Sequence, residues 1–266
     1  MKNIPSLAVA FFLYVIASVV TAAPLVEVNR DSLEISLSPY VDVFEDMDGS
    51  LTIQDMMSAR YASQFAPAAM TELFFGYSSS AYWIKFTVEN QRDEPMHFIL
   101  EASPVDIDYL DLYVIDPHTD QLHQHTRLGS AMPYGDRDYD YPLHLFDLNI
   151  EPHTAYTYFL RAESDKAINL QLTLSTPREY LHTAAQRDSL LGILLGALLV
   201  LAILHLGLFI VFKFKGFLLY GLFLVAVLWI QVSWNGYLLQ FYNNSELLLD
   251  HQLMTPIYLA LFFCAL

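Results

Sequence analysis

The chain has one cysteine in 266 residues, Cys264, and it falls in an apolar run near the end. No disulfide can therefore staple the rest of the chain, even in an oxidising compartment. Basic residues are also scarce: 13 Lys and Arg stand against 29 Asp and Glu, a formal charge of −16. Nucleic-acid binding needs a basic face that displaces counterions, and this balance argues against it. Catalytic signatures are missing too. No Ser-His-Asp order, nucleophile elbow or phosphate-cradling glycine loop occurs, so the chain itself reads as a non-enzyme and calls for no cofactor.

What the chain has in quantity is apolar sequence, 55% of it, beside that strong negative charge. The two properties occupy different segments. Acidic residues lie almost entirely between Glu27 and Asp188, while long apolar runs lie at the N-terminus and after residue 188. Met1-Lys2-Asn3, the apolar stretch Ile4–Val20 and the small-residue exit Thr21-Ala22-Ala23 read as a secretory signal over residues 1–23. The run Ser189–Phe212 makes about 36 Å of helix, enough to span a bilayer. A second span covers 216–240, with Trp229, Trp234 and Tyr237 toward one interface. Lys213 and Lys215 lie between the spans and place that turn in the cytoplasm. A third run, 253–266, is too short to cross about 30 Å of hydrocarbon, so the chain is expected to be truncated within a longer membrane domain. Within the first span, Gly192-x-x-x-Gly196 offers a small-residue face for close helix approach. His205 is expected to hydrogen-bond a neighbouring helix.

Residues 24–176 read as short strands separated by turns. Period-two alternation marks Tyr82–Glu89, His97–Ala102, Tyr109–Ile115, Leu143–Leu148, Tyr156–Glu163 and Ile168–Leu174. Turn signals such as Asp116-Pro117 and Glu151-Pro152 separate them, and a β-sandwich is the economical reading. Residues 51–61 suggest one short helix on the flank, and 177–188 turn polar and helix-friendly as a linker into the first span. "DPHTDQLHQH" gathers His118, Asp120, His123 and His125, but its composition is that of a hairpin tip rather than a zinc site. Asp136, Asp138 and Asp140 alternate without the glycine and further oxygens of a calcium loop.

The strand "YWIKFTVENQRDEP", then "DIDYLDLYVID", "YGDRDYDYPLHLFDL", "TYFLRAES" and "LTLSTPREY" lead into the glycine-bearing first span. That succession, with "LLYGLFLVAVLWIQVSWNGYLLQFY" after it, resembles the bacterial seven-transmembrane receptors with diverse intracellular signalling modules. The resemblance implies a periplasmic jelly-roll domain of the carbohydrate-binding-module type, a seven-helix domain in the inner membrane, and a cytoplasmic output such as a diguanylate cyclase or histidine kinase. Jelly-roll modules stack aromatic rings on sugar faces. In "AYWIKFTVEN" Trp83 and Lys85 lie on the polar face opposite Ile84, Phe86 and Val88. With Arg137, Tyr139 and Arg161 they form the candidate ligand site for a carbohydrate or other small periplasmic molecule. An outward Trp also commonly lies beneath a loop or flanking helix, and Arg161 equally suits an ion pair across the sheet. Two functions remain: a signalling receptor, with the bilayer and a cytoplasmic signalling module as partners, or a membrane-tethered carbohydrate-binding or adhesive module without signalling.

The topology is directly testable. Alkaline phosphatase fused at Thr176 is expected to be active and the same reporter at Lys215 silent. The reverse pattern would refute the charge argument.

Overall fold

A computed structural model describes residues 25–30, 33–68 and 73–238. The signal segment and the third apolar run lie outside them. In chain order the elements are β1 (Val26–Val28), β2 (Glu34–Ser36), β3 (Asp42–Asp46), α1 (Ile53–Met57), α2 (Ala59–Ala62), β4 (Ala66–Pro67) and β5 (Leu73–Tyr77). Then come β6 (Ala81–Asn90), β7 (Met96–Ser103), β8 (Tyr109–Ile115), β9 (Leu122–Leu128), β10 (His144–Ile150), β11 (Thr154–Glu163) and β12 (Ala167–Ser175). Two long helices follow, α3 (Pro177–Phe212) and α4 (Lys215–Trp234).

The strands form two facing sheets. The first runs β4-β3-β6-β11-β8-β9, with β1 added parallel to β6; the second runs β10-β7-β12-β2, with β5 added to β12. Alternation decides which side chains meet between them. Tyr82, Ile84, Phe86 and Val88 of β6 point inward with Leu110 and Leu112 of β8 and Tyr158 and Leu160 of β11. They meet Phe98 and Leu100 of β7, Phe146 and Leu148 of β10, and Leu170, Leu172 and Leu174 of β12. Every strand read from the alternation is present, one or two residues longer at most ends. The strands that escaped that reading are two to five residues long or, like β9 with "LHQHTRL", carry almost no apolar alternation because they lie at an exposed edge.

Trp83 resolves the parity question of β6. It points away from the main core yet is fully buried, because a second apolar cluster covers that outer face. Ile53 and Met56 of α1 and Phe65 lie over Trp83 and Phe159, with Phe44, Tyr61 and Tyr113 at the edge. The covering helix starts cleanly because Thr52 and Asp55 form a reciprocal capping box, Asp55 accepting from the Thr52 amide at 2.9 Å.

The segment 177–188 is not a separate linker. Thr176 takes the extended N-cap conformation, Pro177 occupies the first turn where its missing N–H costs nothing, and α3 then runs unbroken to Phe212. It stops where Lys213 adopts a left-handed φ of 55°, and α4 begins two residues later. Both helices are long and apolar enough to cross a membrane. Their contact depends on Gly221 rather than on the Gly192 and Gly196 face: a Cβ on Gly221 would sit 2.8 Å from Leu206 Cδ2, whereas nothing described lies within 4 Å of the other two. His205 also differs from expectation. Its Nδ1 lies 2.8 Å from the Leu201 carbonyl of its own helix, and its ring packs on Tyr220 at 4.6 Å.

Phe86→Ala and Trp83→Ala are each expected to cost about 3–5 kcal/mol, because both rings are buried in different cores, whereas Thr87→Ala costs under about 1 kcal/mol. Urea unfolding of a soluble fragment, residues 25–188, ranks them. A Trp83→Ala loss as small as that of Thr87→Ala would mean that α1 does not cover the sheet.

Candidate functional site

The five residues expected to share a ligand site separate onto opposite outer faces. On the first sheet, strand register lays Phe44, Trp83, Arg161, Asp111 and Arg127 side by side across five strands. Each charge in that row is used. Asp111 is fully buried and accepts a fork from Arg127 at 2.8 and 3.0 Å and a further bond from His125 at 2.8 Å. Arg161 pairs with Glu163 at 2.7 Å, donates to the Gly49 carbonyl at 3.0 Å and lies over the Trp83 ring. Lys85 sits over the rings of Phe65 and Phe159 at 5.9 and 5.6 Å. Trp83 offers no ring face to a ligand, so its role as a stacking platform is corrected to that of a core residue.

Arg137 and Tyr139 belong to the other side of the sandwich, beside α3. Arg137 donates to the carbonyls of Tyr141 and Pro142 at 3.2 and 2.6 Å and so shapes the loop before β10. Tyr139 donates a hydrogen bond to Asp147. Both order the loop rather than reach for solvent.

That loop helps form the junction between sandwich and membrane helices, where the chemistry concentrates. Tyr180 and Ala184 of α3 pack on Ile99 and Leu145 of the second sheet, and Thr183 donates to Glu34 at 2.6 Å. One turn further on, the Arg187 guanidinium forks onto Glu101, with N···O distances of 3.1 and 3.2 Å, and donates to the Tyr141 hydroxyl at 3.1 Å. Tyr141 in turn donates to Asp188 at 3.0 Å, and Tyr237, beyond α4, donates to the same carboxylate at 2.8 Å. Burial raises the Tyr141 pKa against the opposing pull of Arg187, and the hydrogen bond to Asp188 adds to the rise, which keeps the phenol proton available for that bond. The result is a directed chain, Glu101–Arg187–Tyr141–Asp188–Tyr237, joining β7, the loop, α3 and the outer end of α4.

Close packing completes the junction. Gly236 has a φ of +76°, and a Cβ there would meet Pro142 Cβ and Val105 Cγ1 at 3.1 Å, so glycine lets the end of α4 rest on the sandwich. His144 is buried behind this contact, its Nε2–H donating to the Val105 carbonyl at 3.1 Å and its Nδ1 unpartnered among the described residues. A cavity of about 260 Å³ remains between the elements, lined by Glu101, Ser103, Tyr141, Gln171, Arg187, Asp188, Trp234, Asn235 and Tyr237 among others. The sequence reading missed this set. Arg187-Asp188, the last charges before the apolar run, was the one local signal pointing to it.

Comparisons agree with this two-part plan. The family model described as 7TMR-DISM extracellular 2 matches residues 38–176, and the one described as 7TM diverse intracellular signalling matches 187–266. No curated protein matches the chain. Among solved structures, the crystal structure of a GH31 alpha-xylosidase from Xanthomonas citri is similar at 13% identity, over 59% of this chain and 17% of that one, with a TM-score of 0.23.

Burial, together with the nearby Arg137 charge, lowers the His144 pKa to about 3. The unfolded chain therefore binds a proton near pH 6.5 that the fold rejects, and stability from this group is lost as pH falls from 6.5 toward 3. Denaturant titrations of the whole chain in detergent micelles at pH 7 and pH 5 are expected to show a loss roughly 2 kcal/mol larger for the native sequence than for His144→Gln. Equal losses would mean that His144 is not held neutral.

Proposed function

Because the chain belongs to the seven-transmembrane receptors with diverse intracellular signalling modules, we propose that it senses a ligand in the periplasm, a carbohydrate, and relays its binding across the inner membrane. The observation that carries this reading is the continuity of α3. One helix begins on the second sheet at Pro177, is pinned there by Arg187 and Asp188, and continues through the apolar span to Phe212. Helical backbone bonds make such a rod stiff, so a shift of its seat on the sandwich arrives at the inner end as a shift or rotation rather than dissipating in a flexible linker.

The energetics are those of a population shift. A ligand that prefers one seat of α3 by 10- to 100-fold biases the equilibrium by about 1.4–2.7 kcal/mol, comparable with a few hydrogen bonds of the junction. In this reading the sandwich binds and the two helices relay. A catalytic step, where the receptor has one, belongs to a cytoplasmic output module. Extracellular placement of the N-terminal domain follows from the family, and the Lys213 and Lys215 turn suits the inner side.

Helix phase tests the relay. One residue inserted after Asp188 turns the inner part of α3 by about 100° relative to the sandwich, while seven inserted residues nearly restore its phase. Sugar-dependent transcript changes in cells carrying the full-length receptor are expected to disappear with the first insertion and return with the second. Equal responses to both would rule out a phase-dependent relay, and sugar binding without any response in the native receptor would favour the tethered module.

A further inference from the structure

We infer that the junction cavity is itself a ligand site, and that its ligand is a small neutral polyhydroxylated molecule, a sugar of one or two rings. This rests on the receptor reading and deepens it, since it puts the ligand against the relay rather than on an exposed sheet face. The size is suitable: about 260 Å³ lies just under the roughly 300–1,000 Å³ of cavities that hold drug-sized ligands.

The lining chemistry narrows the class. Arg187 is already neutralised by the Glu101 fork, so no cation is left in the lining to hold an anionic ligand. Asp188 takes two phenol donors, and a carboxylate has about four acceptor positions, which leaves lone pairs for ligand hydroxyls. The Gln171 amide and Ser103 hydroxyl have no hydrogen-bond partner among the described residues, and the Asn235 side chain spends only its N–H, on the Gln231 carbonyl at 2.7 Å. These groups donate and accept at once, as hydroxyl-rich ligands require. Tyr141 and Trp234 add aromatic surface of the kind that packs on the C–H face of a pyranose.

Location gives the site its consequence. A hydroxyl bound to Asp188 acts on the residue that ties α3 to Tyr141 and to Tyr237, so occupancy changes the balance of the contacts that seat both helices. No path through the sandwich core is needed. The ligand touches the relay directly.

Titration calorimetry on the native chain in detergent micelles, with glucose, galactose, N-acetylglucosamine and maltose as probes, tests the site. At least one is expected to bind, and Gln171→Leu and Asn235→Leu are each expected to weaken it about tenfold, the loss of one to two hydrogen bonds. Ser103→Trp, which fills the cavity, is expected to abolish binding, with unchanged circular dichroism showing that each variant is folded. Undiminished binding in all three variants would move the ligand elsewhere on the sandwich and overturn this inference while leaving the receptor reading intact. Failure of every sugar to bind, or tighter binding of spermidine or lysine than of any sugar, would also overturn it. The insertions after Asp188 read the relay independently of where the ligand sits.

Discussion

The docking of α3 on the second sheet is the contact on which the arrangement of the two domains depends. An apolar helix in a bilayer satisfies its own backbone and is free to tilt or turn, so something outside the membrane must set its orientation. Here Tyr180 and Ala184 bury apolar surface against Ile99 and Leu145, and the Arg187–Glu101 fork fixes the rotation. An exposed ion pair would contribute little, but the Glu101 side chain is only 13% exposed. Removing Arg187 would strand a largely buried carboxylate, so the pair acts more as a constraint on geometry than as a source of net stability.

The two outer faces of the sandwich are used differently, and this shifts attention away from the sheet as a sugar platform. The first sheet is closed by α1 and by the aromatic row that includes Trp83, and its buried Asp111 is fully satisfied by Arg127 and His125. Such a face contributes a second core and rigidity. The second sheet carries α3 and a polar junction that is incompletely filled. The relay proposed above places its movable contact at this junction, where the helix sits, rather than on the closed first sheet.

Charge within the sandwich is handled by closed networks elsewhere as well. Asp108 accepts from Ser130, Ser164, the Asp165 amide and Lys166, which ties together the loops after β7, β9 and β11. Burial alone would raise its pKa, yet these bonds hold it below the ordinary carboxylate value. Asp108 therefore supports loop structure at this end of the domain, the same end on which α4 rests through Gly236 and Val105.

Local pattern determined much of this protein. Alternation specified six of the seven long strands and their inward faces, and apolar length specified the two helices able to cross a membrane, because each signal is written within a few residues. What lies on an outward face is a different kind of fact. Trp83 looked available until α1, some thirty residues earlier in the chain, folded over it, and Arg137 and Tyr139 parted from Trp83 because the two sheets face opposite ways. The junction was least legible. Arg187 reaches Glu101 across 86 positions and Tyr237 reaches Asp188 across 49, so only tertiary packing could bring into one cavity residues whose separate surroundings carry no mark of their meeting.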